Sequence, residues 1–221
     1  MLDKDIELFN IDKEFDRSLN SIKRMFYNGD IFIYPTDAFY CIGGNPFNLL
    51  AVNKIRKLIN HNSFNEPTLL VGSISSLFEY VNITTEKYFD LLFSVWPNPV
   101  RIILKLNVKY QELFGASKAA FQIPKTRFCL KLLTEIKHPL LSMRLNDSIN
   151  ITCKSYEILK DEYSNFAEAF YYTEREFPDH DSAVIDLTCE SPIILRKNKI
   201  KLDKILHEYQ NEFINKNKIL I

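Results

Sequence analysis

The residues able to do chemistry gather at a few strand-like ends. In "IFIYPTDAFYCIGG", the apolar run Ile31 to Tyr34 breaks into Pro35-Thr36-Asp37 and resumes as Tyr40-Cys41-Ile42-Gly43-Gly44. A hydroxyl and a carboxylate beyond a buried strand can cradle a small ligand, because α/β sheets place their sites there. The same residues can also make a plain turn, with Pro35 fixing φ, Asp37 capping the chain and the glycines relieving crowding. Both readings stand on these residues alone. Further along, Asp186 ends the apolar run of "VIDL" and Arg196 ends "IILR". The carboxylate could cap a turn or face a ligand; the guanidinium could meet an anion or pair with a carboxylate.

Several chemistries are absent. There is no G-x-G-x-x-G and no G-x-x-x-x-G-K-[ST] phosphate loop, and neither G-x-S-x-G nor H-E-x-x-H occurs. Cys41, Cys129, Cys153 and Cys189 are widely spaced and the four histidines isolated. That predicts free thiols, and neither a disulfide scaffold nor a metal held by protein side chains. Lysine plus arginine balances aspartate plus glutamate at 28 each, so nothing drives the whole chain toward nucleic acid. With 221 residues and 46% apolar content, the expectation is one domain over 1–221, its core about 15–200. The N-terminal "MLDKDIELFN" has no apolar signal core, and no run approaches the ~20 residues of a membrane helix. A cytoplasmic protein with no membrane association is expected.

The positioning elements follow from periodicity. Phe15, Leu19, Ile22 and Phe26 predict a helix stopped by Gly29. A second helix is expected over "NLLAVNKIRKLIN", capped by Asn48, with Leu49, Val52, Ile55 and Ile59 on one face. "PTLLVG", "VRIILKL", "AAFQIP", "PLLSM", "SAVIDLT" and "PIILRKN" read as strands. "SSLFEYV", "TTEKYFDLLFSVWP" and "RFCLKLLTEIK" read as helices. Residues 154–181, acidic and aromatic, read as a helix plus a long loop, and 203–217 as a charged surface helix. This irregular alternation predicts an α/β fold of the α+β type with a mixed sheet.

Four blocks, "YPTDAFYCIGG", "FSVWPNPVRIIL", "HPLLSMRLNDS" and "SAVIDLTCESPIILRKN", resemble in order and spacing the YrdC/Sua5 family of threonylcarbamoyl-AMP synthases. The resemblance covers roughly residues 15–200. It implies a YrdC-like twisted mixed sheet, with flanking helices around a concave cavity. It also implies a reaction of L-threonine, bicarbonate and ATP with Mg²⁺ as substrate complex, without a tightly bound cofactor. The product serves tRNA N6-threonylcarbamoyladenosine synthesis. Position by position, the resemblance gives Thr36 and Tyr40 to threonine, Asn146 to the nucleotide, and Ser182 to a substrate-binding S-x-x-x-D strand ending at Asp186. Arg196 falls near the phosphates, and Arg196 and Thr36 are the expected catalytic pair. Candidate partners are RNA and other proteins of that modification, with the segment 161–181 as a candidate contact.

Departures from the family pattern carry equal weight. Its Lys-x-Arg is here Ile59-Asn60-His61, its V-R-x-P arginine is Gln122, and Ser-Ala-Asn is Arg144-Leu145-Asn146. A charge-assisted phosphate bond is worth about 1.5–3 kcal/mol, so three lost cations imply a rate loss of roughly 10³ or more. Arg56, Lys57, Arg101 and Arg144 are candidate compensating cations. The alternative implied is a degenerate paralogue that binds nucleotide or double-stranded RNA.

Overall fold

Helix α1 (Phe15–Asn28) follows from its spacing, burying Leu19, Ile22, Met25 and Phe26 along one stripe. It ends where Gly29 adopts φ 80° and turns its N–H back onto the Met25 and Phe26 carbonyls. The computed structural model describes residues 6–61, 67–82, 88–145, 156–177, 182–189 and 191–197. Within it the chain forms two compact units, Met1–Leu70 with Lys125–Asp179, and Val71–Pro124 with His180–Ile221.

The first unit is built on strands β1 (Glu7–Asn10), β2 (Phe32–Pro35), β3 (Tyr40–Gly44), β4 (Thr68–Leu70), β7 (Leu140–Arg144) and β8 (Ala169–Tyr172). Their order is β1-β8-β2-β3-β7-β4. β8 lies parallel to both β1 and β2, and the remaining pairs are antiparallel. Alternate side chains leave a strand on opposite faces, and two apolar clusters result. Phe32, Tyr34 and Cys41 pack with α1 and α6 (Arg127–Ile136). Ile31, Ile33, Tyr40 and Ile42 pack with α2 (Leu49–His61) and α7 (Tyr156–Tyr163).

The second unit pairs β6 (Lys118–Gln122) with β5 (Val100–Lys105), β5 in parallel with β9 (Ala183–Asp186), and β9 with β10 (Ile193–Arg196). Three short helices accompany them: α3 (Ile74–Leu77), α4 (Phe89–Val95) and α5 (Val108–Phe114). Leu91, Leu92, Val95 and Trp96 are buried, as are Val100, Ile102 and Phe121, and the Trp96 indole N–H donates to the Val100 carbonyl at 2.7 Å.

The mixed sheet and flanking helices match the expected fold class. Three local expectations change. Helix α2 buries Ala51, Ile55 and Leu58 while Leu49 stands exposed, because at 3.6 residues per turn position 49 falls on the face opposite that stripe; Asn48 caps the helix as expected, its Oδ1 accepting the Leu50 and Ala51 N–H groups. The tract read as a helix plus a loop contains the buried strand β8. Strand β1 and helix α5 were not foreseen, and the expected helix at 203–217 lies outside the described residues.

Candidate functional site

The cradle at Thr36 is a closed turn between β2 and β3. Thr36 donates to the Phe39 carbonyl twice, from its backbone N–H at 3.0 Å and from Oγ1 at 2.7 Å. Thr36 is 8% exposed, and its Oγ1 also accepts from the Cys41 thiol at 3.9 Å, so the hydroxyl is held from two sides with one acceptor lone pair left. Asp37 leaves the turn on the other side. Its carboxylate accepts the Lys125 N–H at 2.9 Å and the Thr126 N–H at 2.8 Å. It therefore caps α6 from 89 residues away, where the N-cap Thr126 makes no side-chain cap of its own. The partial positive charge of a helix N-terminus favours a carboxylate there.

Two further groups back this turn. The Arg144 guanidinium lies 4.6 Å from the Phe39 ring centroid, and Arg144 pairs in register with Cys41. The Cys129 thiol donates to the Pro35 carbonyl at 3.4 Å. Burial pushes that thiol well above its usual range, which leaves it a neutral packing group under the strand end rather than a nucleophile.

Tyr40 faces the α2 and α7 side, 3% exposed, with its ring edge-on to Phe170 and Phe177. Its hydroxyl donates to the Thr173 carbonyl at 3.3 Å and accepts the Thr173 N–H at 3.2 Å. Tyr40 thereby anchors the 173–177 loop. Asp12 holds the same loop, accepting from the Thr173 hydroxyl at 2.7 Å and the Glu174 N–H at 2.9 Å and pairing with Arg175 at 3.2 Å. Between this loop, the Thr36 turn and the starts of α1 and α6 is a cavity of about 350 Å³, of small-molecule size. Phe15, Pro35, Phe128 and Phe177 are among its apolar walls, and Asp12, Asp16, Asp37 and Glu176 face Arg127 and Arg175 around it. Four carboxylates against two guanidiniums suit an ammonium group better than a phosphate.

The second unit carries Arg101, Ser182, Asp186 and Arg196. Arg196 Nε donates to the Ser182 carbonyl at 2.8 Å, which fixes the guanidinium over the start of β9. Arg101 and Arg196 both pair in register with Val184, from the strands on either side. Two strand spacings separate them, roughly 10 Å. Asp186 ends β9 with 6% exposure, accepting the Thr188 N–H and hydroxyl at 2.8 and 2.6 Å and pairing with Lys118 at 3.2 Å. Burial pushes its carboxyl up, but the Thr188 and Lys118 contacts outweigh this and hold it below the usual range. The carboxylate is thus consumed by its own turn.

Of the foreseen residues, Thr36 and Arg144 both contact Phe39 in the first unit, Thr36 at its carbonyl and Arg144 at its ring, while in the second Arg196 touches Ser182 and Arg101 lies one strand beyond. Arg56 and Lys57 are exposed on α2, outside its buried stripe of Ala51, Ile55 and Leu58. Gln122 is buried in β6, and Asn146 lies outside the described residues. Asp12, Phe39 and Thr173 were not foreseen as shaping the site. The Asp in "PTD" was readable as a cap, but its target is visible only in three dimensions.

The sequence model of the Sua5/YciO/YrdC family, described as "Telomere recombination", matches residues 24–198. An uncharacterized protein of Haemophilus influenzae is 25% identical over 189 residues, covering 82% of this chain and 89% of its own. A threonylcarbamoyl-AMP synthase of Vibrio vulnificus is 22% identical over 149 residues, covering 66% of this chain and 80% of its own. Among solved structures, E. coli YciO superposes with a TM-score of 0.72 at 22% identity, over 83% of this chain and 90% of that one. P. abyssi Sua5 complexed with L-threonine gives 0.70 at 20% identity, over 90% of this chain and 60% of that one.

Proposed function

This chain belongs to the Sua5/YciO/YrdC family, and from that premise we propose that it makes threonylcarbamoyl-AMP for tRNA N6-threonylcarbamoyladenosine synthesis. The observation that carries the reading is a family match over 24–198, which spans Thr36, Tyr40, Ser182 and Arg196. In the proposed reaction the threonine nitrogen takes up carbon dioxide from bicarbonate, with loss of water. A carboxylate oxygen of the resulting carbamate then attacks the α-phosphorus of ATP. The α–β phosphoanhydride bond breaks and pyrophosphate leaves.

Thr36 is assigned to the threonine substrate, as an oriented hydroxyl at a strand end. Tyr40 is assigned a supporting role there, because its hydroxyl is engaged with Thr173. Arg196, oriented by the Ser182 carbonyl, and Arg101 are assigned to the phosphates of Mg·ATP, where fixed cations stabilise developing charge. Asn146 retains its assignment to the nucleotide. RNA and other proteins of the modification remain candidate partners, in the cytoplasm; among the described residues no helix is long and apolar enough to cross a membrane.

A second reading rests on Gln122, buried in β6 where the family pattern has an arginine: a paralogue that binds nucleotide or double-stranded RNA without turnover. Pyrophosphate release with L-threonine, bicarbonate, Mg²⁺ and ATP separates the two. Threonine-dependent release supports the synthase. Nucleotide binding with no release overturns it in favour of the second reading.

A further inference from the structure

We propose that Asp37 is the positioning residue of the Thr36 cradle, acting through the backbone amides of Lys125 and Thr126 rather than on substrate. This rests on the assignment of Thr36 to threonine and deepens it. The Thr36 turn is short, and its internal bonds to Phe39 set the local shape without fixing where the turn points. That direction needs an external anchor. The Asp37 carboxylate supplies one, with contacts of 2.8 and 2.9 Å to two amides at the start of α6.

The anchor is firm because the helix it grips is firm. Helix α6 buries Phe128, Cys129, Leu132, Leu133 and Ile136, and these belong to the same apolar cluster as Tyr34 and Cys41, which flank the turn. The turn is therefore tied to α6 twice. Asp37 grips the helix N-terminus, and Cys129 donates to Pro35 one residue before Thr36. Three of the roughly four acceptor sites of this carboxylate are taken by the two amides, so its main commitment is to the helix. Its geometry assigns it to holding, and the hydroxyl beside it to contact.

Threonine affinity measured calorimetrically without ATP, together with amide hydrogen exchange, tests this. Asp37→Ala should weaken threonine at least tenfold and expose the Lys125 and Thr126 amides to exchange. Asp37→Asn keeps an acceptor oxygen and should restore both to within about threefold of wild type. Threonine added to the wild-type protein should slow exchange at those two amides. This last measurement needs no variant and stands even if Asp37→Ala does not fold. Wild-type binding that survives Asp37→Ala within twofold, or amides indifferent to threonine, overturns the proposal. A wild type that binds no threonine overturns the functional reading itself, while the exchange rates in Asp37→Ala still report whether the clasp to α6 exists.

Discussion

The Thr36 end of the first unit and the Ser182–Arg196 end of the second differ in how they are built. The first is gripped from far along the chain: Asp37 reaches Thr126 89 residues on, and Tyr40 reaches Thr173 133 residues on. Its cavity is acidic on balance. The second mixes a local contact, Arg196 on Ser182 14 residues back, with a distant pairing, Arg101 opposite Val184 on the other side of β9. One end is walled by more carboxylates than guanidiniums; the other sets two arginines on either side of one strand.

The sharpest way to break this contrast is Arg196→Ala. Loss of one charge-assisted phosphate contact, about 1.5–3 kcal/mol, should cut kcat/KM for pyrophosphate release by up to about a hundredfold. Thermal stability should change little. An unchanged rate would move the phosphate site elsewhere. Gly43→Ala should do the reverse. A methyl group there would collide with the Leu141 carbonyl and the Tyr34 ring, so overpacking should cost about 1–3 kcal/mol of stability by denaturant titration.

A smaller effect is expected from pH. Asp186 has a folded-state carboxyl below its ordinary value, so its contribution is complete above the ordinary carboxylate range and is lost as pH falls through and below it. The melting temperature of wild type should therefore decline more steeply in acid than that of Asp186→Asn. Parallel curves would remove the Lys118 and Thr188 contacts from the account. The smallest effect belongs to the double variant Arg56→Ala with Lys57→Ala. Both side chains are exposed on α2, and Mg·ATP affinity should stay within twofold. A larger loss would restore them as compensating cations.

What was legible in the sequence was what local spacing encodes. Helix α1 announces itself through Leu19, Ile22, Phe26 and Gly29, and α6 through an equally regular stripe. Strand β8, "AFYY", does not. It is buried at Ala169, Phe170 and Tyr171, so polar alternation is missing, and it sits in an acidic tract that suggests solvent. Helix α5 was findable, since Asn107 caps it and Gly115 ends it in the left-handed region, but seven residues hold too few turns to show a period. At the site, Thr36 stood out as a hydroxyl after a buried strand. The use of Asp37 and Tyr40 did not, because both spend their polar atoms on backbone brought close only by folding.

The parallel placement of β8 has a consequence for synthesis. Ala169 is flanked by Glu7 on one side and Phe32 on the other, so among the described residues β1 and β2 are joined through a strand that emerges 137 residues after Phe32. At ribosomal speeds of about 5–20 residues per second, that wait is on the order of ten seconds. Throughout it the nascent chain carries two strands with open edges, each a template for mispairing. The sheet of the first unit is complete only once β8 has emerged, and the interval before it arrives is when a holding chaperone would matter most.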